Sequence, residues 1–384
     1  MFKQHLMKTP MTLGLFLLVF LQLHAQDPFY IHFFNNKSGF NPALTGMSGA
    51  LTVNAKYKSQ WQDKPTPSYT SGAVNLEESL PCSTLDYGFH FNFDEEGDGR
   101  FRTYDFGFKF AGTAPFEVGN SLQNLRFGGT LQWSYKTVDY RKLTFSDQFD
   151  PKLGAIYPTS FIPPNDGRSF VFFAPAVGFA HQVLFDQNDK RSPSLTWGLS
   201  LHNAYSIGPR HLGNEESILG IGTRIPQRIV GFLEVELIPY NSARHYLSVR
   251  PLLMMQRQSG LHYFEAGSRL SLSRLATFGL FYHFNQPPYE GRNTNWFSFS
   301  LEFGSIVAEG KRIDLGFAYS NNFSGLRNAI GPVFEVSLAL HFADSPGCRL
   351  MGREDEMNYG NIVRCPNIAA SDRRKMYENI WYKR

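Results

Sequence analysis

Apolar and polar residues alternate strictly along several stretches of the chain. Aromatic residues occupy every second position from Tyr87 to Phe93 and again from Tyr104 to Phe110, and small or polar residues lie between them. A period of two is typical of a β-strand with one apolar face. The turn-rich stretch 94–99 joins the two runs, so together they predict a β-hairpin.

The same alternation continues through most of the chain and is clearest from Phe334 to Phe342. Over the whole sequence it predicts fourteen strands, near residues 50–59, 68–76, 84–95, 100–112, 123–137, 168–184, 194–206, 227–238, 244–257, 261–272, 275–286, 295–305, 311–321 and 332–343. No apolar run after residue 25 has the length of a membrane-spanning helix.

Strands of this kind predict an all-β fold, a transmembrane antiparallel up-and-down β-barrel over residues 50–343. An even number of strands places both chain ends on the periplasmic side. In that orientation the two longest connections, 138–167 and 207–226, face outward, and the short Ser273-Arg274 turn faces the periplasm. Long outer loops with short inner turns are typical of outer-membrane barrels.

The composition agrees with a barrel in lipid. Aromatic residues make up 15% of the chain and charged residues only 18%, as expected where one strand face meets outer-membrane lipid and the other is polar. The net charge is +4 and no basic cluster is present, which excludes the electrostatic pattern of a nucleic-acid partner.

The first 25 residues have the pattern of a secretory signal peptide. Lys3 and Lys8 precede an apolar run over 11–21, and Ala25 provides a small residue for cleavage. The next segment, 26–49, contains two prolines and three glycines, which break regular structure. We therefore expect an irregular plug or contact segment between the signal and the barrel.

A periplasmic tail is expected over residues 344–384, where the alternation stops and charged residues increase. Ser371-Asp372 can cap a short helix with its apolar stripe on one side. The stripe consists of Met376, Tyr377, Ile380 and Trp381. It either packs on the barrel rim or docks a partner. Cys348 and Cys365 are the candidate disulfide pair in an oxidising compartment, and the lack of a CxxC motif argues against a zinc site.

The sequence contains no motif for catalysis or for a cofactor. It lacks GxSxG, HExxH and GxxxxGK[ST] patterns, so we expect no catalytic residues, metal or cofactor, and no enzymatic activity. Charged and histidine positions alternate with the apolar strand residues and are therefore expected in the lumen. They are His90, Asp105, Lys109, Glu302, Asp314, Glu335 and His341. Their mixed signs favour a paired, plugged interior, with an open channel as the alternative.

Several short, ordered motifs resemble those of one family. The motifs are Asp27-Pro28-Phe29-Tyr30, Asn41-Pro42-Ala43-Leu44-Thr45-Gly46, Tyr57-Lys58-Ser59-Gln60-Trp61 and the final strand from Gly331 to Leu338. They are similar to the PorP/SprF membrane proteins of the Bacteroidetes type IX secretion system. On this resemblance, Asn41, Pro42, Gly46, Gln60 and Trp61 are candidate partner-binding residues.

The resemblance implies a non-enzymatic outer-membrane barrel that acts in secretion and gliding. Its partners would be type IX components, exported surface proteins such as adhesins, and periplasmic peptidoglycan-associated or ring proteins. A porin or transporter of small solutes, plugged by residues 27–49, is the alternative. An outer-membrane hydrolase is a third class, which the missing catalytic motifs disfavour.

Overall fold

The computed structural model describes residues 30–31, 33–49, 51–61, 69–80, 83–163, 170–189, 191–204, 215–216, 223–224, 226–242, 245–258, 261–273, 275–286, 295–308, 310–322, 331–343, 346–350 and 376. The expected signal peptide, Cys365 and most of the expected tail helix lie outside these residues. Within them, no helix is long and apolar enough to cross a membrane.

The described residues form the antiparallel barrel that the alternation predicts. Its strands are β1 (Leu51–Gln60), β2 (Tyr69–Ser79), β3 (Leu85–Glu96), β4 (Phe101–Val118), β5 (Ser121–Thr137), β6 in two segments (Phe170–Phe173 and Ala176–Leu184), β7 (Ser194–His202), β8 (Arg228–Asn241), β9 (Tyr246–Gln258), β10 (Leu261–Leu272), β11 (Ala276–Gln286), β12 (Trp296–Ala308), β13 (Lys311–Asn322) and β14 (Val333–Phe342). Each strand pairs with its neighbours in sequence, and β14 pairs with β1 from Leu51↔Phe342 to Gln60↔Val333. The fold prediction, an up-and-down barrel of fourteen strands, is confirmed.

The two faces of the barrel wall have opposite chemistry. On β14, Phe334 is 53% exposed and points outward, while Glu335 is 2% exposed and points into the lumen. Phenylalanine, leucine and valine dominate the outward positions of the other strands as well. This arrangement is inside out relative to a water-soluble protein, because the outer face is solvated by lipid chains.

Three strands differ from the prediction by more than three residues at an end or by an interruption. β4 extends to Val118, beyond the predicted end at residue 112, because it stays paired with β5 up to a tight turn in which Gly119 has φ +61°. The alternation fades there since β3 no longer flanks this part of β4. β6 is interrupted around Pro175, which has no N–H for the ladder. β7 ends at His202, four residues earlier than predicted.

Connections of different length lie at the two ends of the barrel. The end with the connections after β1, β3, β5 and the other odd-numbered strands is called the long-loop end, and the opposite end is the short-turn end. The β5–β6 connection contains a small hairpin, Phe149–Asp150 with Gly154–Ala155. At the short-turn end, a helical turn over Pro346–Leu350 follows β14, and Gly347 N donates a hydrogen bond of 2.6 Å to Glu78 Oε1.

Candidate functional site

Residues 30–31 and 33–49, called the lumen segment, lie inside the barrel. The segment consists of helical turns at Phe33–Asn36, Lys37–Phe40 and Pro42–Leu44. Its backbone and side chains reach opposite parts of the wall. Ile31 N donates to Glu335 Oε2 on β14 at 2.7 Å, and Lys37 Nζ lies 3.1 Å from Glu234 Oε1 on β8. The segment therefore crosses the lumen.

Asn41 fixes the centre of the lumen segment to the main chain of the wall. Its Oδ1 accepts a hydrogen bond of 2.9 Å from Ala43 N, which caps the turn that begins at Pro42. Its Nδ2 donates to the carbonyl oxygens of Phe179, at 3.0 Å, and Leu199, at 3.2 Å. One amide side chain thus organises the turn and attaches it to β6 and β7.

Three glycines of the wall provide the space for this turn. A Cβ on Gly128 would lie 2.3 Å from the carbonyl carbon of Pro42, and a Cβ on Gly178 would lie 2.0 Å from Asn41 Oδ1. A Cβ on Gly198 would lie 2.9 Å from Asn41 Nδ2. The three glycines belong to the neighbouring strands β5, β6 and β7. They form a bed without side chains, on which the turn makes close backbone contact.

Arg126 completes the attachment from the side of β5. Its Nε donates to the carbonyl oxygen of Ala43 at 2.7 Å, and Nη2 donates to the carbonyl oxygen of Thr45 at 2.6 Å. Nη2 also lies 3.0 Å from Asp86 Oδ2, and both side chains are fully buried. Gly46 follows with φ +78°, and a Cβ there would lie 2.8 Å from Asp86 Cβ. Only glycine suits that position.

The predicted lumen charges pair with one another and with the lumen segment. Lys109 Nζ donates to Ser38 Oγ and to Asn75 Oδ1, both at 2.8 Å. Asp314 lies 2.7 Å from Arg312 Nη2 and 3.0 Å from His341 Nε2. Asp314 is thus paired with basic side chains, whereas Lys109 is held by neutral oxygen acceptors.

A cavity of about 660 Å³, called the vestibule, lies between the lumen segment and the long-loop end. Its lining includes Tyr30, Gln60, Trp61, Tyr69 and Trp296. Trp61 has φ +61°, an uncommon conformation for a residue with a bulky side chain. Its ring lies edge-on to that of Tyr69, with centroids 4.8 Å apart. The Gln60-Trp61 motif therefore lies at the mouth of the barrel.

A second cavity, of about 80 Å³, lies on the other side of the lumen segment. Phe34 and Lys37 of the segment line it together with charged wall residues such as Arg250 and Arg312. Tyr30, Ile31 and Asn36, from the same segment, line the vestibule instead. The lumen segment thus lies between two separate spaces.

Sequence reasoning missed one cluster, Ser298–His283–Glu265, which spans three neighbouring strands. His283 Nε2 lies 2.5 Å from Ser298 Oγ, and His283 Nδ1 lies 3.4 Å from Glu265 Oε2. This is the order of atoms in a catalytic triad. However, the Tyr263 hydroxyl also bonds His283 Nδ1, and Ser298 and His283 are 0% exposed. A nucleophile must meet its substrate, so this burial argues for a structural role.

Asp147 is one of the carboxylates that organise the β5–β6 connection. Asp147 Oδ2 accepts hydrogen bonds from Ser160 N at 2.6 Å and Ser160 Oγ at 2.7 Å, and Asp147 Oδ1 accepts one from Thr159 Oγ1 at 3.0 Å. The bonds from Ser160 and Thr159 hold the pKa of the Asp147 carboxyl below its usual value.

The candidate residues fall into separate places. Asn41, Pro42 and Gly46 are buried against the inner face of the wall, whereas Gln60 and Trp61 line the vestibule. Cys348 belongs to the Pro346–Leu350 turn, and the proposed bond to Cys365 falls outside the described residues. Tyr377, Ile380 and Trp381 of the stripe also fall outside the described residues, whereas Met376 is described and half-buried. Within the described ranges, no group of acidic, histidine or cysteine side chains is placed to hold a metal ion.

Comparison with protein families gives one match over most of the chain. The model of the type IX secretion system membrane protein PorP/SprF matches residues 22–340. No protein with a curated description matches the chain.

Solved outer-membrane barrels resemble the chain at low identity. A Pseudomonas aeruginosa FadL homologue is 11% identical, with a TM-score of 0.37 over 80% of this chain and 98% of its own. CdiB from Acinetobacter baumannii is 8% identical, with a TM-score of 0.36 over 76% of this chain, which spans 60% of CdiB. The NanC porin is 9% identical, with a TM-score of 0.32 over 76% of this chain and 99% of its own. Likeness at this level carries no information about ligand or partner.

Proposed function

The chain belongs to the PorP/SprF family of type IX secretion system membrane proteins, and on this premise we propose that it assists the export of surface proteins and holds them at the outer membrane. It does so as a non-enzymatic barrel. Surface adhesins are the expected cargo, and gliding or attachment is the expected process. Periplasmic peptidoglycan-associated or ring proteins are the expected partners on the inner side.

The observation that carries this proposal is the attachment of the lumen segment. Arg126, Asn41 and the wall glycines hold it by main-chain contacts across strands β5 to β7. A conduit for solutes needs a continuous water-filled path, while a binding component needs a rigid support. A lumen divided by an attached segment fits the second role.

The even number of strands and the position of the long loops support the following orientation. The long-loop end faces outward and meets exported proteins, and the short-turn end faces the periplasm together with the tail 344–384. The signal peptide 1–25 directs the chain across the inner membrane. In the tail, a Cys348–Cys365 disulfide would close a loop before the apolar stripe that docks a periplasmic partner.

Affinity purification from mild detergent tests the proposal. We expect the full chain to retain type IX components and an exported surface protein. A chain truncated after Phe342 keeps the barrel and is expected to lose only the periplasmic partners. A Trp61→Ala variant is expected to lose the exported protein and keep the periplasmic ones. Isolation of the full chain alone, under conditions that preserve the secretion complex, would overturn the proposal.

A small-solute porin remains the second candidate because the vestibule is a large cavity at the mouth of the barrel. Uptake of small sugars or amino acids into liposomes containing the purified protein discriminates the two functions.

A separate experiment tests for hydrolase activity. Loss of lipid or peptide hydrolysis on a Ser298→Ala substitution would establish it, and we expect the wild-type chain to show no such hydrolysis.

A further inference from the structure

The vestibule has two walls of different chemistry. On strands β1 to β5 its lining carries charged side chains, among them Lys56, Lys58, Asp94, Asp105 and Lys136. The lining residues from β9 to β14 that the structure describes are all uncharged. They combine amides with aromatic rings. Because both walls also carry aromatic rings, a ligand of this space needs hydroxyl or amide groups together with an apolar face.

The uncharged wall presents rigid rings next to amides. Trp296 stacks on His283, with centroids 5.2 Å apart and planes inclined by 21°, and also contacts Tyr263 at 5.8 Å. Gln256 and Asn322 line the same wall. A ring that is already packed against other side chains loses little conformational entropy when a ligand binds to its free surface. Each amide offers both donors and an acceptor.

On the charged wall, ring contacts also fix the position of a side chain. Lys136 Nζ lies 5.2 Å from the ring centroid of Phe101 and 5.4 Å from that of Phe172, on two neighbouring elements of the lining. In addition, the hydroxyl of Tyr30 and Nδ1 of His90, both in the lining, are buried with no hydrogen-bond partner in the described structure.

From these contacts we propose that the vestibule is a binding site for a short oligosaccharide. A pyranose ring has an apolar C–H face, which suits Trp296 and Trp61, and an edge of hydroxyl groups, which suits amides, carboxylates and lysines. The volume of about 660 Å³ lies within the ~300–1,000 Å³ typical of small-ligand sites. The site is therefore too small for a folded domain.

An extended peptide fits the vestibule less well. Peptides bind barrels and sheets chiefly by adding a strand at an open edge. In the described barrel each strand already has two neighbours, so the lining presents side chains and not a free edge. A helical peptide requires a continuous apolar stripe, whereas this lining intersperses its aromatic rings with charged and amide side chains. This inference goes beyond the proposed function and does not depend on it.

Calorimetric titration of the purified full chain in detergent tests the site. The probes are maltotriose, as a neutral trisaccharide, trigalacturonate, as an acidic one, and a peptide of four aspartates. We expect at least one trisaccharide to bind and to change tryptophan fluorescence. Trp296→Ala should weaken this binding about tenfold, the loss of one stacking contact.

Trp133→Ala is the matched control, because Trp133 is 46% exposed on the lipid face of β5. It should leave saccharide binding unchanged, and heat-modifiable migration on gels checks that both variants are folded. Failure of both trisaccharides to bind overturns the inference. So does binding of the peptide without either trisaccharide, or an equal loss of binding in the two variants. A pull-down of secretion partners is a separate measurement, so each proposal can fail alone.

Discussion

Two motifs that resemble those of the family, Asn41 to Gly46 and Gln60-Trp61, both lie inside the barrel but are held in different ways. The first is buried, and its backbone is bound by Arg126 and by the glycine bed of β5 to β7. The second is half-buried at the mouth and lines a cavity of about 660 Å³. The difference indicates that the first motif holds the lumen segment on the wall, and the ligand or partner contact that we propose for the second rests on its position at the mouth.

Removing Arg126 should have the largest effect on the first region. Arg126→Met removes the cation paired with buried Asp86 Oδ2 and the donor to two carbonyl oxygens of the turn, which costs about 3–5 kcal/mol of unfolding free energy. Denaturant unfolding in detergent measures it. Arg141→Met, on a side chain that is 91% exposed, is the control and should change little. Equal unfolding midpoints for the two variants would contradict the assignment.

Filling the glycine bed should have the next largest effect. Gly128→Val places a side chain where Pro42 and Ala43 main-chain atoms lie 2.3–2.4 Å from the new Cβ, an overpacking cost of about 1–3 kcal/mol. The lumen segment should become cleavable by added protease. Gly112→Ala is the control, since a Cβ there meets nothing within 4 Å. Protection of the segment in the Gly128→Val variant would show that the bed is not required.

A pair of substitutions sharpens the comparison between the two motifs. Asn41→Ala removes a cap and two bonds to the wall, which should lower the unfolding free energy by about 1–2 kcal/mol while partners are retained. Trp61→Ala should leave the unfolding midpoint nearly unchanged and abolish retention of the exported protein. If Asn41→Ala lost the exported protein and Trp61→Ala lowered the unfolding free energy, the roles assigned to the two motifs would be reversed.

The smallest expected effect is a change in the proteolysis rate of the β5–β6 connection, residues 138–163, at the long-loop end. The pKa of Asp147 is lowered by its bonds to Ser160, so the loop stabilisation is present above the usual aspartate pKa and is lost as pH falls through the lowered value. Limited proteolysis of residues 138–163 should stay slow at mildly acidic pH and accelerate in stronger acid. Asp147→Asn should make cleavage faster at neutral pH, and Asp98→Asn, in another turn, should not. A pH-independent rate in the wild-type chain would contradict this account.

The sequence predicts the barrel well because each strand carries its own signal. Alternation alone locates all fourteen strands and directs residues such as Lys109 and Glu335 into the lumen, where both are buried. The ends of β4 and β7 were less predictable, since they depend on which neighbour remains available for pairing.

The candidate site was predictable only in part. The resemblance identified Asn41 and Trp61, but nothing local in the sequence distinguishes Gly128, Gly178 and Gly198 from other glycines. Their role depends on the register of three strands against the lumen segment. The Ser298–His283 contact likewise arises from strand pairing, so no spacing motif could have revealed it.

The central claim is that an attached lumen segment closes the barrel. The most direct test is to measure the ionic conductance of the protein in a planar bilayer. We expect the purified wild-type chain to pass no steady current, and a chain lacking residues 30–47 to form an ohmic pore. A steady wild-type conductance equal to that of the shortened chain would contradict the claim and favour a porin.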